Sequence, residues 1–222
     1  MPVVGPAQDD PTRHVEAEVT LDVPPGWGVP ELAGPLAPAG VVAVGEPVEH
    51  VLDAQYLDTA DLRLLRARTT LRRRTGGPDA GWHLKLPRAD GDRTEVHLPL
   101  GGPSPAPPPQ LSALVGATTG GEPLAVVAHL RTRRVVRSLL GAGGVDGTPV
   151  VLAEVADDAV TAQVPGPSPG EPDERSAWRE LEVELVDGDR SVLTAAVDAL
   201  VAAGARRSPS PSKLRRVLGH RL

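Results

Sequence analysis

Charge in this chain is sorted by strand-like spacing. Glu16 and Glu18 stand two apart, and Glu180, Glu182 and Glu184 repeat that spacing near the C-terminus. Arg72 and Arg74, His83 and Lys85, and Arg131 and Arg133 do the same with nitrogen-bearing side chains. A step of two along an extended chain aims side chains to one side. Like charges aligned in this way repel, so each set needs counter-charges, a metal or a ligand nearby. Several carboxylates converging on a point suit the hard cations Mg2+ and Mn2+. Guanidinium forks and an ammonium match phosphoryl oxygens. Together the two sets could hold a polyphosphate and neutralise charge as a phosphoryl group leaves. Strand by strand, a simpler explanation exists, namely one wet face of an amphipathic sheet. A wet face usually intersperses the signs, whereas here same-sign pairs recur on acidic and basic segments alike.

Such residues need strands to present them. His14 to Val23 alternates apolar Val15, Ala17, Val19 and Leu21 with polar residues, the period of a half-buried strand. Val48 to Leu57, Thr69 to Thr75, Gly81 to Leu86, Arg93 to Leu98, Ala125 to Leu140, Val150 to Val164 and Ala177 to Val186 read as further strands. Short helices are expected near Ala60 to Arg66 and Gln110 to Val115. A longer one is expected from Arg190 to Ala203, ended by Gly204, with a closing turn over Ser212 to Leu218. Pro99 to Pro109 and Pro165 to Pro172 are too rich in proline for regular structure. Hairpin-length connections imply antiparallel pairing. The expectation is a mainly β (α+β) fold, an eight-stranded antiparallel barrel or tunnel with a few flanking helices. Residues 1–12 form a disordered lead-in to a single domain over 13–222.

Composition narrows the function. The 222 residues contain no cysteine, which excludes disulfides, zinc–thiolate sites and thiol nucleophiles. A net charge of −6 argues against general nucleic-acid binding, and with only three Trp, one Tyr and no Phe, stacking platforms are scarce. No stretch approaches the roughly 20 apolar residues that cross a bilayer, and the N-terminus lacks a secretory pattern. A cytoplasmic protein is expected, with no membrane partner.

Read in order, these motifs resemble the CYTH family, the triphosphate tunnel metalloenzymes. Glu16-Ala17-Glu18-Val19-Thr20 stands where the family has Glu-x-Glu-x-Lys. Tyr56-Leu57-Asp58-Thr59, Leu71-Arg72-Arg73-Arg74, Trp82-His83-Leu84-Lys85 and Arg93-Thr94-Glu95 follow. Arg131-Thr132-Arg133-Arg134, the acidic stretch around Glu154, Asp157 and Asp158, Glu180-Leu181-Glu182-Val183-Glu184 and a terminal Lys213 complete the series. The resemblance spans Val15 to Leu218. It implies a tunnel that takes a triphosphate end inside, with Arg72, Arg74, Lys85, Arg131, Arg133 and Lys213 on the phosphates. It also implies Glu16, Glu18, Glu180 and Glu182 as ligands to Mg2+ or Mn2+, with Glu95 and Asp157 as further metal candidates. Glu16, Glu18, Lys85, Glu180 and Glu182 would carry catalysis. A metal-oriented water would attack the terminal phosphorus, with no covalent nucleophile. The wording around Thr59 to Leu65 and Ala80 to Pro87 resembles the subtype that often precedes a helical CHAD domain, which is associated with polyphosphate.

Thr20 departs from the pattern by removing a positive charge. A lost charge-assisted phosphate contact costs ~1–3 kcal/mol, which predicts a slower or differently selective enzyme. The expected activity is metal-dependent hydrolysis of inorganic triphosphate or a related polyphosphate. The alternatives are a polyphosphate-binding module without turnover and, ranked lower, an adenylate cyclase or thiamine triphosphatase of the same fold. His83 is expected to be a bystander, Trp82 and Trp178 outer core, and Arg215, Arg216 and Arg221 solvated surface charges.

Overall fold

The computed structural model describes residues 10–102, 106–143, 147–166 and 170–222. Residues 1–9 of the expected lead-in, and parts of the two proline-rich loops (103–105 and 167–169), lie outside the described residues. Eleven strands form one antiparallel sheet: β1 (Thr12–Glu16), β2 (Glu18–Asp22), β3 (Val41–Val44), β4 (Val48–Asp58), β5 (Thr70–Thr75), β6 (Gly81–Pro87), β7 (Arg93–Pro99), β8 (Ala125–Gly141), β9 (Val150–Val164), β10 (Glu174–Leu185) and β11 (Arg206–Arg207). Their spatial order is β1-β7-β6-β5-β4-β8-β9-β10-β2-β11, with β3 added beside β8. The mainly β, antiparallel architecture is therefore present, but the expected ring of eight is an open ladder of eleven strands. Its two ends meet through the chain itself. β1 pairs with β7 and β2 pairs with β10, and only Ala17 separates them. The Ala17 carbonyl accepts a 3.0 Å bond from Leu185 N–H at this crossing.

Alternation along the strands creates an inner and an outer face, and three apolar clusters hold them. On one outer flank, Leu21, Leu181 and Val183 pack with Leu139 and Val155 beneath α1 (Ala33–Leu36) and α4 (Arg190–Ala202). The α4 residues Leu193, Val197 and Leu200 recur at helical spacing and supply its buried stripe. Asp189 caps α4 by accepting from Ser191 N–H at 2.8 Å. On the other outer flank, Leu71, Trp82, Leu84 and Val96 pack with Leu111 and Val115 of α3 (Pro109–Thr119).

The third cluster lies on the inner face. Ala54, Tyr56, Leu130 and Val160 meet Leu214, Val217 and Leu218 of α5 (Lys213–Leu218). The apolar face of α5 thus fills one end of the interior and leaves the remainder polar. Asp58 anchors the short helix α2 (Arg63–Arg66) beside it, accepting backbone N–H bonds from Leu64 and Leu65 at 2.9 Å each. Among the described residues no helix is long and apolar enough to cross a membrane.

Candidate functional site

The sheet interior encloses a cavity of about 510 Å³ lined by side chains of opposite sign. Cross-strand register arranges its carboxylates in rows. Glu154, Glu184 and Glu18 are direct neighbours on β9, β10 and β2. Asp158, Glu180 and Asp22 form a parallel row further along, and Ala156, Glu182 and Thr20 lie between.

The two acidic rows are neutralised differently. Lys213 sits at the start of α5, where Ser212 caps the helix by accepting from Arg215 N–H at 3.2 Å. Its ammonium lies 2.8 Å from Asp158, 2.8 Å from Glu180 and 2.6 Å from Glu182. Arg134 grips Asp158 with two bonds of 2.8 and 2.6 Å and also donates to Glu182. Arg216 donates to Asp22 and stands 3.6 Å from Glu180. Burial alone would raise the carboxyl pKa of Asp158 and Glu182, but Lys213 and Arg134 outweigh it and hold both below the ordinary range. Thr20, opposite Glu182, therefore faces a carboxylate that already has its counter-charge from α5.

The row of Glu154, Glu184 and Glu18 is short of cations. Lys85 serves it from across the interior, 2.6 Å from Glu16 and 3.3 Å from Glu18, and Arg93 lies 3.4 Å from Glu18. Glu184 has no ion pair among the described residues. Burial pushes its carboxyl up to about 7, with Lys85 opposing and Glu16, Glu18 and Glu182 reinforcing the rise. Glu16 is also raised, by burial first and then by Glu95, against the pull of Lys85. One ligand atom each of His14, Glu16 and Glu184 lies within 4.8 Å of the others, and Asp158, Glu180 and Glu182 form a second such group. A divalent cation fits the first donor set, because the set is mostly oxygen and Lys85 alone pairs with its carboxylates among the described residues.

On the facing wall stand Arg72, Arg74, Arg134 and His83. The Arg72 guanidinium reaches only the Tyr56 hydroxyl, at 3.3 Å, and its Nε has no hydrogen-bond partner among the described residues. Arg74 is buried, pairs with Asp79 in the β5–β6 turn, and likewise has an unsatisfied Nε. Burial, then Arg72 and Arg134, lower its pKa to about 9. His83 is buried in this wall. Its Nδ1 lies 2.8 Å from Glu95 and its Nε2 lies 3.0 Å from the Asp79 carbonyl. Glu95 is held by His83 and by His14 at 3.3 Å.

The interior thus brings together Glu16, Glu18, Arg72, Arg74, Lys85, Glu95, Glu180, Glu182 and Lys213. It does not collect three other residues singled out in the sequence. Arg131 and Arg133 point outward with side chains 72% and 61% exposed, pairing with Asp53 and Glu49, whereas Arg134 is 18% exposed and points in. Asp157 is on the outer face, bound by both arms of Arg179 at 2.7 and 2.6 Å. Trp178 shares the inner parity of Glu180 rather than the outer core. Its indole N–H donates to Glu180 at 2.7 Å, and the Arg216 guanidinium lies 5.4 Å from its ring centre. Arg216 is therefore not a solvated charge, while Arg221 pairs with Glu174 at the surface. Trp82 lies in the outer core, as expected. Sequence reasoning left Arg134, Asp158, Glu184 and His14 out of its site, although the even-numbered parity of Glu180 and Glu182 already includes Glu184.

The CYTH domain family matches residues 42–218. The chain belongs to the CYTH family. Two uncharacterized proteins of Mycobacterium tuberculosis are each 41% identical over 229 residues, covering 99% of this chain. The chain spans 42% of the length of those CYTH relatives. Among solved structures, a candidate adenylate cyclase from Bacillus halodurans is similar, with TM-score 0.47 and 14% identity over 92% of this chain and 97% of that one. A candidate adenylyl cyclase from Hippeastrum with a dominant triphosphatase activity gives TM-score 0.46 and 17% identity over 94% and 97%.

Proposed function

We propose that this CYTH domain binds the end of a linear triphosphate or polyphosphate in its interior, together with Mg2+ or Mn2+, and hydrolyses the terminal anhydride. The observation that carries the reading is the double charge mismatch across one cavity. Arg72 and Arg74 crowd one wall with unsatisfied guanidinium nitrogens, and Glu16, Glu18, Glu154 and Glu184 crowd the other with too few cations. A polyanion and a divalent cation entering together relieve both walls, and neither alone does.

Arg72, Arg74 and Arg134 would orient the phosphate oxygens and stabilise charge on the departing group. Lys85, between the acidic strand and Arg72, would reach the oxygens nearest the metal. His14, Glu16 and Glu184 would hold the cation, with Glu18 beside them. When bound, such a cation supplies charge neutralisation and lowers the pKa of a coordinated water. A water held in the site would bond through its oxygen to the terminal phosphorus as the anhydride P–O bond breaks. A carboxylate of the acidic row would take its proton, leaving orthophosphate and a chain one phosphate shorter. Lys213 would act as a fixed counter-charge to Asp158, Glu180 and Glu182 and hold that wall in place.

The test is phosphate release from inorganic triphosphate, with Mg2+, Mn2+ or chelator, beside ATP and long-chain polyphosphate. Release that chelator abolishes, and that Arg72→Gln lowers by about tenfold or more, is expected. Tight polyphosphate binding with no release from any substrate would make the domain a binding module and overturn the hydrolytic step. ATP turned over as fast as bare triphosphate would favour a nucleotide substrate instead.

A further inference from the structure

Three arginines have no part in that chemistry. Arg68, Arg207 and Arg215 line a second cavity, of about 260 Å³, together with Thr20, Ser208 and Ser210. Glu16 and Glu18 border both cavities, so the second adjoins the tunnel along the acidic strand. The carboxylates at its edge already have partners. Glu16 and Glu18 are paired with Lys85 and Arg93, and Asp92 with Arg190. Among the described residues none of the three guanidinium groups has a carboxylate partner. Arg68 is presented from an unusual backbone position, φ 59°, which Arg68 N–H to Leu65 O and Thr69 N–H to Leu64 O bonds of 3.0 and 2.8 Å maintain.

In a chain of net charge −6, three arginines that line one concavity without carboxylate partners among the described residues form a local exception. Such a concavity raises the local concentration of anions. Planar guanidinium forks with hydroxyls beside them suit a tetrahedral oxyanion. Thr20 helps to keep the space open, since a lysine in its place would extend four carbons from a residue that lines the cavity.

We propose that this cavity is a second anion site, for a phosphate-class oxyanion. Two sources share that chemistry: free orthophosphate, and the far end of a linear phosphate chain whose other end lies in the tunnel. Only the second source rests on the tunnel reading.

The experiment titrates orthophosphate without metal, and triphosphate and a long-chain polyphosphate with and without Mg2+, calorimetrically into three proteins: the wild-type chain, Arg207→Gln/Arg215→Gln and the tunnel variant Arg72→Gln. Neither Arg207 nor Arg215 makes a side-chain ion pair, so the double variant is expected to fold, which circular dichroism checks. Loss of orthophosphate affinity by roughly tenfold per arginine in the double variant, with Arg72→Gln unaffected, supports the site with free phosphate as its ligand. A comparable loss for the long chain, but not for triphosphate, supports it with a spanning chain as its ligand. Orthophosphate and long-chain affinities within twofold of wild type in the double variant would overturn the proposal. A tunnel reading that fails leaves a different trace, because Arg72→Gln would then not weaken triphosphate binding while the double variant still lost orthophosphate.

Discussion

Two acidic clusters lie on the same strands, a few residues apart, and they are opposites in charge balance. Asp158, Glu180 and Glu182 surround an ammonium that α5 delivers, with Arg134 and Arg216 completing the shell. Glu18, Glu154 and Glu184 stand in a row of equal density, yet among the described residues only Lys85 and Arg93 serve that side. Carboxylate density alone does not identify a metal site. The counter-charge within reach separates the two, and on the proposed reading the first cluster is structural and the second receptive.

The largest expected effect breaks the neutralised cluster. Lys213→Met removes the ammonium shared by Asp158, Glu180 and Glu182, so urea unfolding should show a loss of about 3–5 kcal/mol, and an unchanged midpoint would refute the structural role. Next, Glu184→Gln in chelated protein should be neutral or stabilising, since it relieves like-charge crowding in a row with more carboxylates than cations. Destabilisation there on the scale of Lys213→Met would erase the distinction between the clusters.

Acid should expose the same contrast. Asp158 has a folded pKa below its usual 3.8 because Lys213 and Arg134 overcome its burial. Its contribution is therefore complete above about 3.8 and is lost as pH falls through the lower folded value. Asp158→Asn should be clearly less stable than wild type at pH 6, and the gap should narrow below pH 3.8, as chemical denaturation at several pH values would record. A gap that widens in acid would contradict the assignment. The smallest effect belongs to the outer face. Arg131→Gln and Arg133→Gln remove exposed pairs and should change stability by no more than about 0.5 kcal/mol each. They should leave triphosphate binding intact, whereas Arg134→Gln should impair both.

The strands that carry the site were legible because they alternate. β6 and β7 alternate apolar and polar residues in period two, and β9 spans the expected Val150–Val164. β3 was not legible, because Val41-Val42-Ala43-Val44 is an unbroken apolar run with no alternation to read. Nor was the break at Ala17, since its residues alternate evenly through the point where the chain leaves β7 for β10. Site residues were clear where only one parity carries charge, as in Glu180-Leu181-Glu182. They were ambiguous where both parities do. Arg131-Thr132-Arg133-Arg134 and Asp157-Asp158 offer a charge to each face, and only the register that sets Arg134 opposite Asp158 selects the inner pair. Lys213 comes from a helix remote in sequence, so its contact with three carboxylates is a tertiary fact that no local pattern holds.

The most direct measurement is Mn2+ binding, followed by electron paramagnetic resonance, in wild type, Glu184→Gln and Glu180→Gln. The account predicts that Glu184→Gln weakens Mn2+ by about tenfold or more while Glu180→Gln stays within twofold of wild type. Loss of Mn2+ in Glu180→Gln, with Glu184→Gln unaffected, would place the metal at the cluster that Lys213 occupies and contradict it.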